Sequence, residues 1–315
     1  MIVGVPRALL YHQYGGSWTA FLDSLGVETL LTQATSGETV LAGTERADNE
    51  TCLPMKVFAG HLIQLKDSCD AVLVPRVVSQ YHRTKSCPKY LGLPDVARAL
   101  EPDLPPVLDP RMDLADRRAR WTSDWNALAL EWGASRGGAA LAVHRMKEAL
   151  REIEPLPSRP VEGGLRVGIA GHLYNMFDSR ASLGLLDKVR DTGAGVLTIE
   201  QVSRHQVRRQ LRTLQRKIYW DFEGRIVGGV LHWNRTACVD GIIYVSSFAC
   251  GPGSMIGALL EDQLGREDSV PFMNITLDEH SAEGGLITRV EAFMDMLKRV
   301  GVERPRTRGG GGVAR

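Results

Sequence analysis

Short apolar runs alternate with amphipathic stretches from the first residue onward. The chain opens with the apolar "MIVGV", continues through the loop-like "PRALLYHQYGG", and shows helical spacing in "SWTAFLDSLG" before the apolar "VETLLT". Short strands that alternate with amphipathic helices are typical of βαβ units and parallel sheets. The pattern therefore predicts an α/β domain at the start of the chain.

Residues 165–200 repeat this layout. The strand "LRVGIAG" is followed by the loop "HLYNMFDS", the helix "RASLGLLDKVRDTG" and the strand "GVLTIE". A chain of 315 residues is long enough for two domains with separate cores. We therefore predict two doubly wound α/β domains. Duplication explains the repeat, but so does the layout that all βαβ openings share.

The segment between the two openings predicts a connector. "RWTSDWNALALEWGA" and "AALAVHRMKEALREIE" have helical spacing after the predicted strand "AVLVPRVVS", and "PLPSRPVEGG" has the composition of a linker. The predicted parts are residues 1–110 as domain 1, 111–160 as helical connector and linker, 161–305 as domain 2, and 306–315 as a disordered tail.

Composition and charge argue against two classes of partner. With a formal net charge of +1, the protein as a whole does not attract nucleic acid or an anionic membrane electrostatically. The N-terminus lacks the apolar run of a signal peptide, and no stretch approaches the roughly 20 apolar residues of a membrane span. We expect a cytoplasmic protein. The basic stretch "SRHQVRRQLRTLQRK" is expected to be a solvated helix face or, as the alternative, a docking surface for an acidic partner.

Three of the five cysteines fall at predicted junctions between loops and helices. Cys52 precedes a helix, Cys87 lies between two lysines beyond a strand, and Cys250 separates a strand from a helix for which Ser254 is the predicted N-cap. Helix N-termini and positive charge favour the thiolate, which is the metal-binding form. These three cysteines are therefore candidate metal ligands.

The other two cysteines differ in position. Cys69 and Cys238 each precede a strand, so we expect them at the opposite end of the sheets in structural roles. The odd number of cysteines argues against a disulfide framework. Three thiolates suit an iron–sulfur cubane with one iron left open, although three thiolates also bind zinc. Both alternatives remain open at this point.

Five stretches carry a resemblance to a known superfamily. They are "IVGVPRALLYHQYG", "DNETCLPMKVFAGHL", "VLVPRVVSQYHRTKSCPKYLGLPD", "FACGPGSM" and "PFMNITLDEHSAEGGLITRVEAF". The sequence resembles the superfamily of 2-hydroxyacyl-CoA dehydratases and benzoyl-CoA reductases, in particular its short members grouped with CoA-substrate-specific enzyme activases. The resemblance extends over almost the whole chain.

The resemblance implies a fold, a cofactor and partners. It implies two Rossmann-like domains that clasp a [4Fe–4S] cluster in the cleft, held by residues that match Cys52, Cys87 and Cys250. Similar proteins receive one electron from an ATP-dependent activase, and they dehydrate or reduce acyl-CoA thioesters or reduce other small molecules. A homodimer and oxygen sensitivity are also implied. Because this chain is a single short polypeptide, the resemblance does not identify its substrate. A double-cubane cluster would require Cys69 and Cys238 as additional ligands.

Four further residues are candidates for chemistry. Glu279 and His280 lie in a polar loop after an apolar strand, where they would either move protons beside the cluster or be solvated. Arg7 and Arg76 follow strands in matching Val-Pro-Arg contexts, where they would grip an anionic group or form structural ion pairs.

Two functions remain after this reasoning. In the first, the protein is an enzyme whose open iron binds and reduces or dehydrates a substrate. In the second, it is a non-catalytic electron-transfer subunit that serves another enzyme. The chain contains no Walker A sequence, so ATP hydrolysis is expected in a partner.

Overall fold

The computed structural model describes residues 1–81, 84–116, 118–151 and 164–303. The strands of this part are Ile2–Val5 (β1), Glu28–Leu31 (β2), Ala71–Leu73 (β3), Arg76–Ser79 (β4), Val107–Leu108 (β5), Arg111–Asp113 (β6), Arg166–Gly171 (β7), Gly195–Thr198 (β8), Gly241–Ser247 (β9) and Phe272–Leu277 (β10). The helices are Tyr11–Ser24 (α1), Gly37–Arg46 (α2), Leu53–Leu65 (α3), Pro88–Leu91 (α4), Leu93–Leu100 (α5), Thr122–Glu131 (α6), Arg136–Arg151 (α7), Leu173–Phe177 (α8), Leu185–Asp191 (α9), Arg204–Leu211 (α10), Asp221–Thr236 (α11), Gly251–Leu264 (α12) and Glu283–Glu303 (α13), with a 3₁₀ turn at Ile199–Gln201.

Each half of the chain forms a four-stranded parallel sheet with the same strand order. The first sheet runs β2-β1-β3-β5, and the second runs β8-β7-β9-β10. In both sheets the first strand along the chain lies between the second and the third. The α/β class with parallel sheets is therefore confirmed.

The strands are apolar because helices cover both faces of the sheets. All seven residues of β9 are buried, and Ile242, Ile243 and Val245 are fully inaccessible. Near-continuous apolar strands are characteristic of parallel sheets packed on both sides. This burial fixes the strand ends, and thereby the loops that follow them.

The predicted strand "AVLVPRVVS" is divided in the structure. β3 belongs to the first sheet, whereas β4 pairs with β6 in a separate two-stranded parallel sheet. Pro75 lies between β3 and β4 and has no N–H to donate to a neighbouring strand. The predicted continuous strand is therefore wrong at this residue.

The connector helices pack against the first half of the chain. Trp125 of α6 meets Phe21 of α1 edge to face, with ring centroids 5.0 Å apart, and α7 packs on α1. α1 itself begins at Tyr11, inside the predicted loop, because buried Tyr14 extends the apolar stripe of Trp18. The predicted linker, up to residue 163, and the predicted tail lie outside the described residues.

Across the described ranges, no helix combines the length and the apolar content needed to span a membrane.

Candidate functional site

Each of the three candidate cysteines is the N-cap of a helix. Cys52 precedes α3, Cys87 precedes α4 and Cys250 precedes α12. In every case a proline occupies the first turn: Pro54, Pro88 and Pro252. Proline is suited to this position because its missing N–H would have no partner inside the helix. The remaining free N–H groups of the first turn point toward the cap, where they are available to sulfur.

The turn before α12 differs from the prediction. Ser254 is not the N-cap, because Gly251 and Pro252 already adopt helical geometry and the N-cap is Cys250, four residues earlier. Ala249 adopts a φ of 59°, which is unusual for a residue with a Cβ. This sharp turn brings Cys250 directly to the helix start.

The cysteines come from corresponding places in the two halves. Cys250 follows β9, the third strand of the second sheet in chain order, and Cys87 follows the divided strand β3–β4 at the same place in the first half. Cys52 caps the helix that leads into β3. Ligands of open α/β sheets bind beyond the carboxyl ends of the strands, where Cys87 and Cys250 lie.

The three thiols lie close enough to influence one another electrostatically. The thiols of Cys52 and Cys87 add to the elevation of the Cys250 pKa, and all three thiols act on buried Tyr90. Lys89 Nζ lies 3.5 Å from Cys52 Sγ, so the start of α4 contacts the start of α3. The two halves of the chain therefore bring these three thiols to one region.

Burial dominates the acidity of two of these thiols. It raises the pKa of Cys250 to about 12 and also raises the pKa of Cys87, and it outweighs the hydrogen bonds from the backbone of Gly253 and of Lys89. The charge of Lys89 does favour the Cys87 thiolate, as expected, but burial outweighs it. Binding to a metal displaces the thiol proton, so ligation would release protons from these residues.

A buried histidine–glutamate pair adjoins the thiols. His172 Nε2 lies 3.1 Å from Glu223 Oε1, and both side chains are at most 3% exposed. His172 stacks on Tyr174 at 5.1 Å, and the charge of Glu223 acts on Cys87 and Cys250. The buried His172 Nδ1 has no hydrogen-bond partner in the described part of the chain.

Sequence reasoning missed this pair. His172 and Glu223 are 51 residues apart, and only folding places the end of β7 beside the first turn of α11. The available signal was the position of His172 directly after a strand, in the loop that also contains Tyr174. Tyr174 and Tyr90 lie edge to face with ring centroids 6.4 Å apart, and burial raises the pKa of both phenols well above the ordinary value.

Glu279 and His280 have different environments. Glu279 forms an ion pair with Lys56, which is fully buried on α3 and also donates to the carbonyl of Asn49 at 3.2 Å. Glu279 therefore joins the second half of the chain to the helix that Cys52 caps. The side chain of His280 is 83% exposed, and its Nε2 lies 3.8 Å from the Glu279 oxygen that pairs with Lys56.

The two candidate arginines have structural partners. Arg76 pairs with Asp95 at 2.8 Å and Asp109 at 3.0 Å, and it donates to the carbonyl of Leu91. These contacts match the structural ion pair that was one of its two expected roles. Arg7 packs over the ring of Tyr11, with 5.9 Å between its guanidinium carbon and the ring centroid.

Cys69 and Cys238 lie at the amino ends of strands. Cys69 follows α3 and contacts the carbonyl of Leu65 through its sulfur at 3.4 Å. Cys238 follows α11 and precedes β9. Neither thiol contributes to the shifted pKa values of Cys87 or Cys250.

The donor set is compatible with an iron–sulfur cluster. In the described residues, no group of three or more His, Cys, Asp or Glu side chains is arranged to hold a single metal ion. In a cubane each thiolate binds a different iron, so its ligand sulfurs stand farther apart, at roughly 6–7 Å. Three free cysteines that share one region supply the ligand type that such a cluster requires.

Two protein-family models match successive parts of the chain. The model described as the CoA enzyme activase uncharacterised domain matches residues 2–202, which include Cys52 and Cys87. The model of 2-hydroxyglutaryl-CoA dehydratase, D-component, matches residues 209–297, which include Cys250. No curated protein matched the chain. The resemblance drawn from the sequence is confirmed: residues 209–297 are similar to the dehydratase D-component, and the chain belongs to the family of the CoA enzyme activase domain.

Proposed function

We propose that Cys52, Cys87 and Cys250 hold a [4Fe–4S] cluster and leave one iron open to a substrate. The observation that carries this proposal is the convergence of three helix-capping cysteines, each with a proline in the first turn. Three thiolates complete the coordination of three irons, so the fourth iron keeps an exchangeable position.

The two parallel sheets form two Rossmann-like domains in this proposal, with the cluster in the cleft between them. Domain 1 comprises residues 1–110, residues 111–160 form the connector and linker, and domain 2 comprises residues 161–305. The contact of Glu279 with Lys56 supports this arrangement, because it joins the two domains beside the helix of Cys52.

The bound cluster would supply low-potential electrons and a Lewis-acidic iron for reduction or dehydration of a substrate. The residues of the chain supply the surroundings. His172 and Glu223 hold a proton in a dry region beside the thiols, and Tyr90 and Tyr174 exclude water from it. Glu279 orients the helix of Cys52 through Lys56 and has a positioning role.

The electrons come from an ATP-dependent activase in this proposal, because the chain has no Walker A sequence. The substrate is an acyl-CoA thioester or another small molecule. The descriptions of both matching family models name CoA enzymes, which supports this class. The protein acts in the cytoplasm as a homodimer and is sensitive to oxygen, because an open iron is accessible to oxidants.

A second function has support from the surface beside Cys250. Phe248 is 60% exposed and Met255 is 63% exposed, on either side of the cysteine in sequence. Exposed large apolar residues beside a redox centre suit contact with a protein partner. The alternative is therefore a non-catalytic electron-transfer subunit that passes its electron to another enzyme.

One experiment separates these functions. The anaerobic protein is reduced with an activase, ATP and a strong reductant, and its EPR spectrum is recorded with and without a panel of acyl-CoA thioesters. A spectrum that one thioester changes, together with formation of a dehydrated or reduced product, supports the enzyme. The electron-transfer subunit is supported if no thioester changes the EPR spectrum of the reduced cluster and a second protein reoxidises it.

A further inference from the structure

The basic stretch after residue 203 lines a concave groove. Its helix, α10, forms one wall of a cavity of about 490 Å³, and the opposite wall includes Tyr81, Gly224 and Arg225. Cavities of this size are typical of small-molecule sites. The arginines of this helix are exposed, as predicted for a solvated face, but three of them also line this concave surface.

Three arginines of α10 and its C-cap face this cavity. Arg204, Arg208 and Arg212 are four residues apart and therefore lie on one face of the helix. Within the described ranges, none of the three is paired with a carboxylate. Like charges at this spacing weaken a helix slightly, and a bound anion would offset this repulsion.

The acidic groups nearby are already engaged. Asp221 lines the cavity, but its oxygens accept hydrogen bonds from the hydroxyls of Thr84 and Ser86 and from the backbone of Gln80. Arg225 is held by Glu200 through an ion pair of 3.0 Å. The arginines of α10 therefore dominate the charge of the groove.

The remainder of the lining is apolar. Val207, Leu211, Leu214 and Ile218 contribute to it, so the groove suits a ligand with an apolar or planar body as well as negative charge. The guanidinium carbon of Arg204 lies 5.2 Å from the centroid of the Tyr81 ring, and this contact fixes the orientation of the guanidinium group.

A second cavity adjoins the groove and leads inward. It measures about 780 Å³ and shares Tyr81, Arg204 and Arg225 with the groove. Its lining also includes Leu173, the residue between His172 and Tyr174 beside the thiols. An elongated ligand whose charged end lies in the groove would therefore extend toward the candidate cluster site.

We propose that the α10 groove binds a phosphorylated nucleoside, with its phosphates on Arg208 and Arg212. Arginine forks bind phosphate oxygens in pairs, and several arginines suit more than one phosphoryl group. The nucleoside belongs either to the CoA part of a thioester or to a free nucleotide. Binding of the CoA part of a thioester rests on the proposed function, whereas the arginines and the cavity of the groove are independent of it.

Calorimetric titration of the full-length protein tests this site. The probes are coenzyme A, ADP, pantetheine and inorganic phosphate. Coenzyme A and ADP are expected to bind, and pantetheine, which lacks phosphate, is not. The double variant R208Q/R212Q is expected to weaken binding of both nucleotides by at least about tenfold, which corresponds to the loss of charge-assisted hydrogen bonds.

The matched control is the double variant R209Q/R216Q. It removes the same charge from the same segment, but neither residue lines the groove. We expect this variant to bind within about twofold of wild type, because it keeps the groove arginines. If net charge alone attracted the nucleotide, both double variants would lose the same affinity. Coenzyme A that binds tenfold tighter than ADP identifies the thioester as the source, and equal binding identifies a free nucleotide.

Three results would overturn the proposal: no binding of either nucleotide at millimolar concentration, inorganic phosphate that binds as tightly as ADP, or equal losses in the two double variants. The titration is repeated with the C87A variant, which lacks a ligand of the proposed cluster. Nucleotide binding that persists in C87A separates the groove from the cluster, so that failure of one claim leaves the other testable.

Discussion

At the scale of single residues, Gly253 shows how closely the chain surrounds one thiol. A Cβ at this position would lie 3.0 Å from Cys250 Sγ and 3.4 Å from the hydroxyl of Tyr244. We expect G253A to displace the sulfur and to lower the iron content of the anaerobic protein several-fold. Iron and sulfide analysis measures this effect.

Gly251 provides the matched control, because a Cβ there meets no atom within 4 Å. Both substitutions replace a helical glycine by alanine, which by itself stabilises a helix by about 1 kcal/mol. G251A should therefore keep its iron and gain slightly in stability. If both variants keep full iron content, crowding at Cys250 does not matter for the site.

The ion pair of Lys56 and Glu279 permits a second prediction at this scale. Lys56 is fully buried, so E279A leaves an ammonium group without its carboxylate and should lower the free energy of unfolding by about 3 kcal/mol. Urea unfolding measures this loss. H280A alters a side chain that is 83% exposed and should leave stability unchanged.

The same pair has a defined pH dependence. Burial raises the pKa of Glu279, but the hydrogen bond and charge of Lys56 outweigh it, so the pKa lies below the ordinary 4.5. A depressed carboxyl pKa stabilises the fold above 4.5, and this contribution is lost as the pH falls through the folded pKa. Wild type and E279A should therefore converge in stability in acid. Equal differences at pH 7 and pH 3 would contradict this role.

The candidate site could be predicted from sequence only where local signals exist. Cys52, Cys87 and Cys250 were selected because each stands at a loop–helix junction, and the structure places all three at helix N-caps. His172 and Glu223 carry no such signal, because their contact joins two distant elements. For Cys87, the sequence correctly indicates that the charge of Lys89 lowers the thiol pKa, but it does not show the burial that raises this pKa by more.

At the scale of elements, Arg76 ties the helices after Cys87 to the strands. It begins β4 and donates hydrogen bonds to the carboxylates of Asp95 and Asp109 and to the carbonyl of Leu91, the last residue of α4. We expect R76Q to increase hydrogen exchange across residues 88–100 and to cost about 1–2 kcal/mol of stability. R98Q removes a more exposed partner of the same carboxylates and should have a smaller effect. Equal exchange in both variants would contradict the central position of Arg76.

Most elements followed from the apolar pattern, and the exceptions have local causes. β1, β2, β7 and β8 begin and end close to their predicted residues, because a buried parallel strand needs an apolar run. The division of the strand at Pro75 depends on strand pairing, and the early start of α1 depends on side-chain packing; the local sequence specifies neither. The same holds for the groove of α10, whose opposite wall lies elsewhere in the chain.

At the scale of the whole molecule, a buried histidine lies where the two halves meet. His61 of α3 contacts Thr35 at 3.0 Å, and Thr35 donates to Asp178 from the second half. Burial lowers the pKa of His61 to about 4, against a smaller opposing effect of Asp178, while His12 and Arg7 lower it further. The two halves are thus joined through a neutral imidazole.

This histidine predicts acid sensitivity. Its folded pKa lies below the ordinary 6.5, so the unfolded chain binds the extra proton, and stability is lost as the pH falls from 6.5 to about 4. The loss is on the order of 3 kcal/mol. H61Q should flatten the dependence of stability on pH in this window, whereas H144Q, at an exposed histidine, should not. Parallel curves for wild type and H61Q would contradict the role of His61.

The central claim is that three particular cysteines hold one cluster, and iron content measures it most directly. The anaerobically reconstituted protein should contain about four irons and four sulfides per chain. C52A, C87A and C250A should each lose most of this iron, whereas C69A and C238A should retain it. Stoichiometric zinc in place of iron, or iron that survives in C52A, C87A and C250A, would contradict the account.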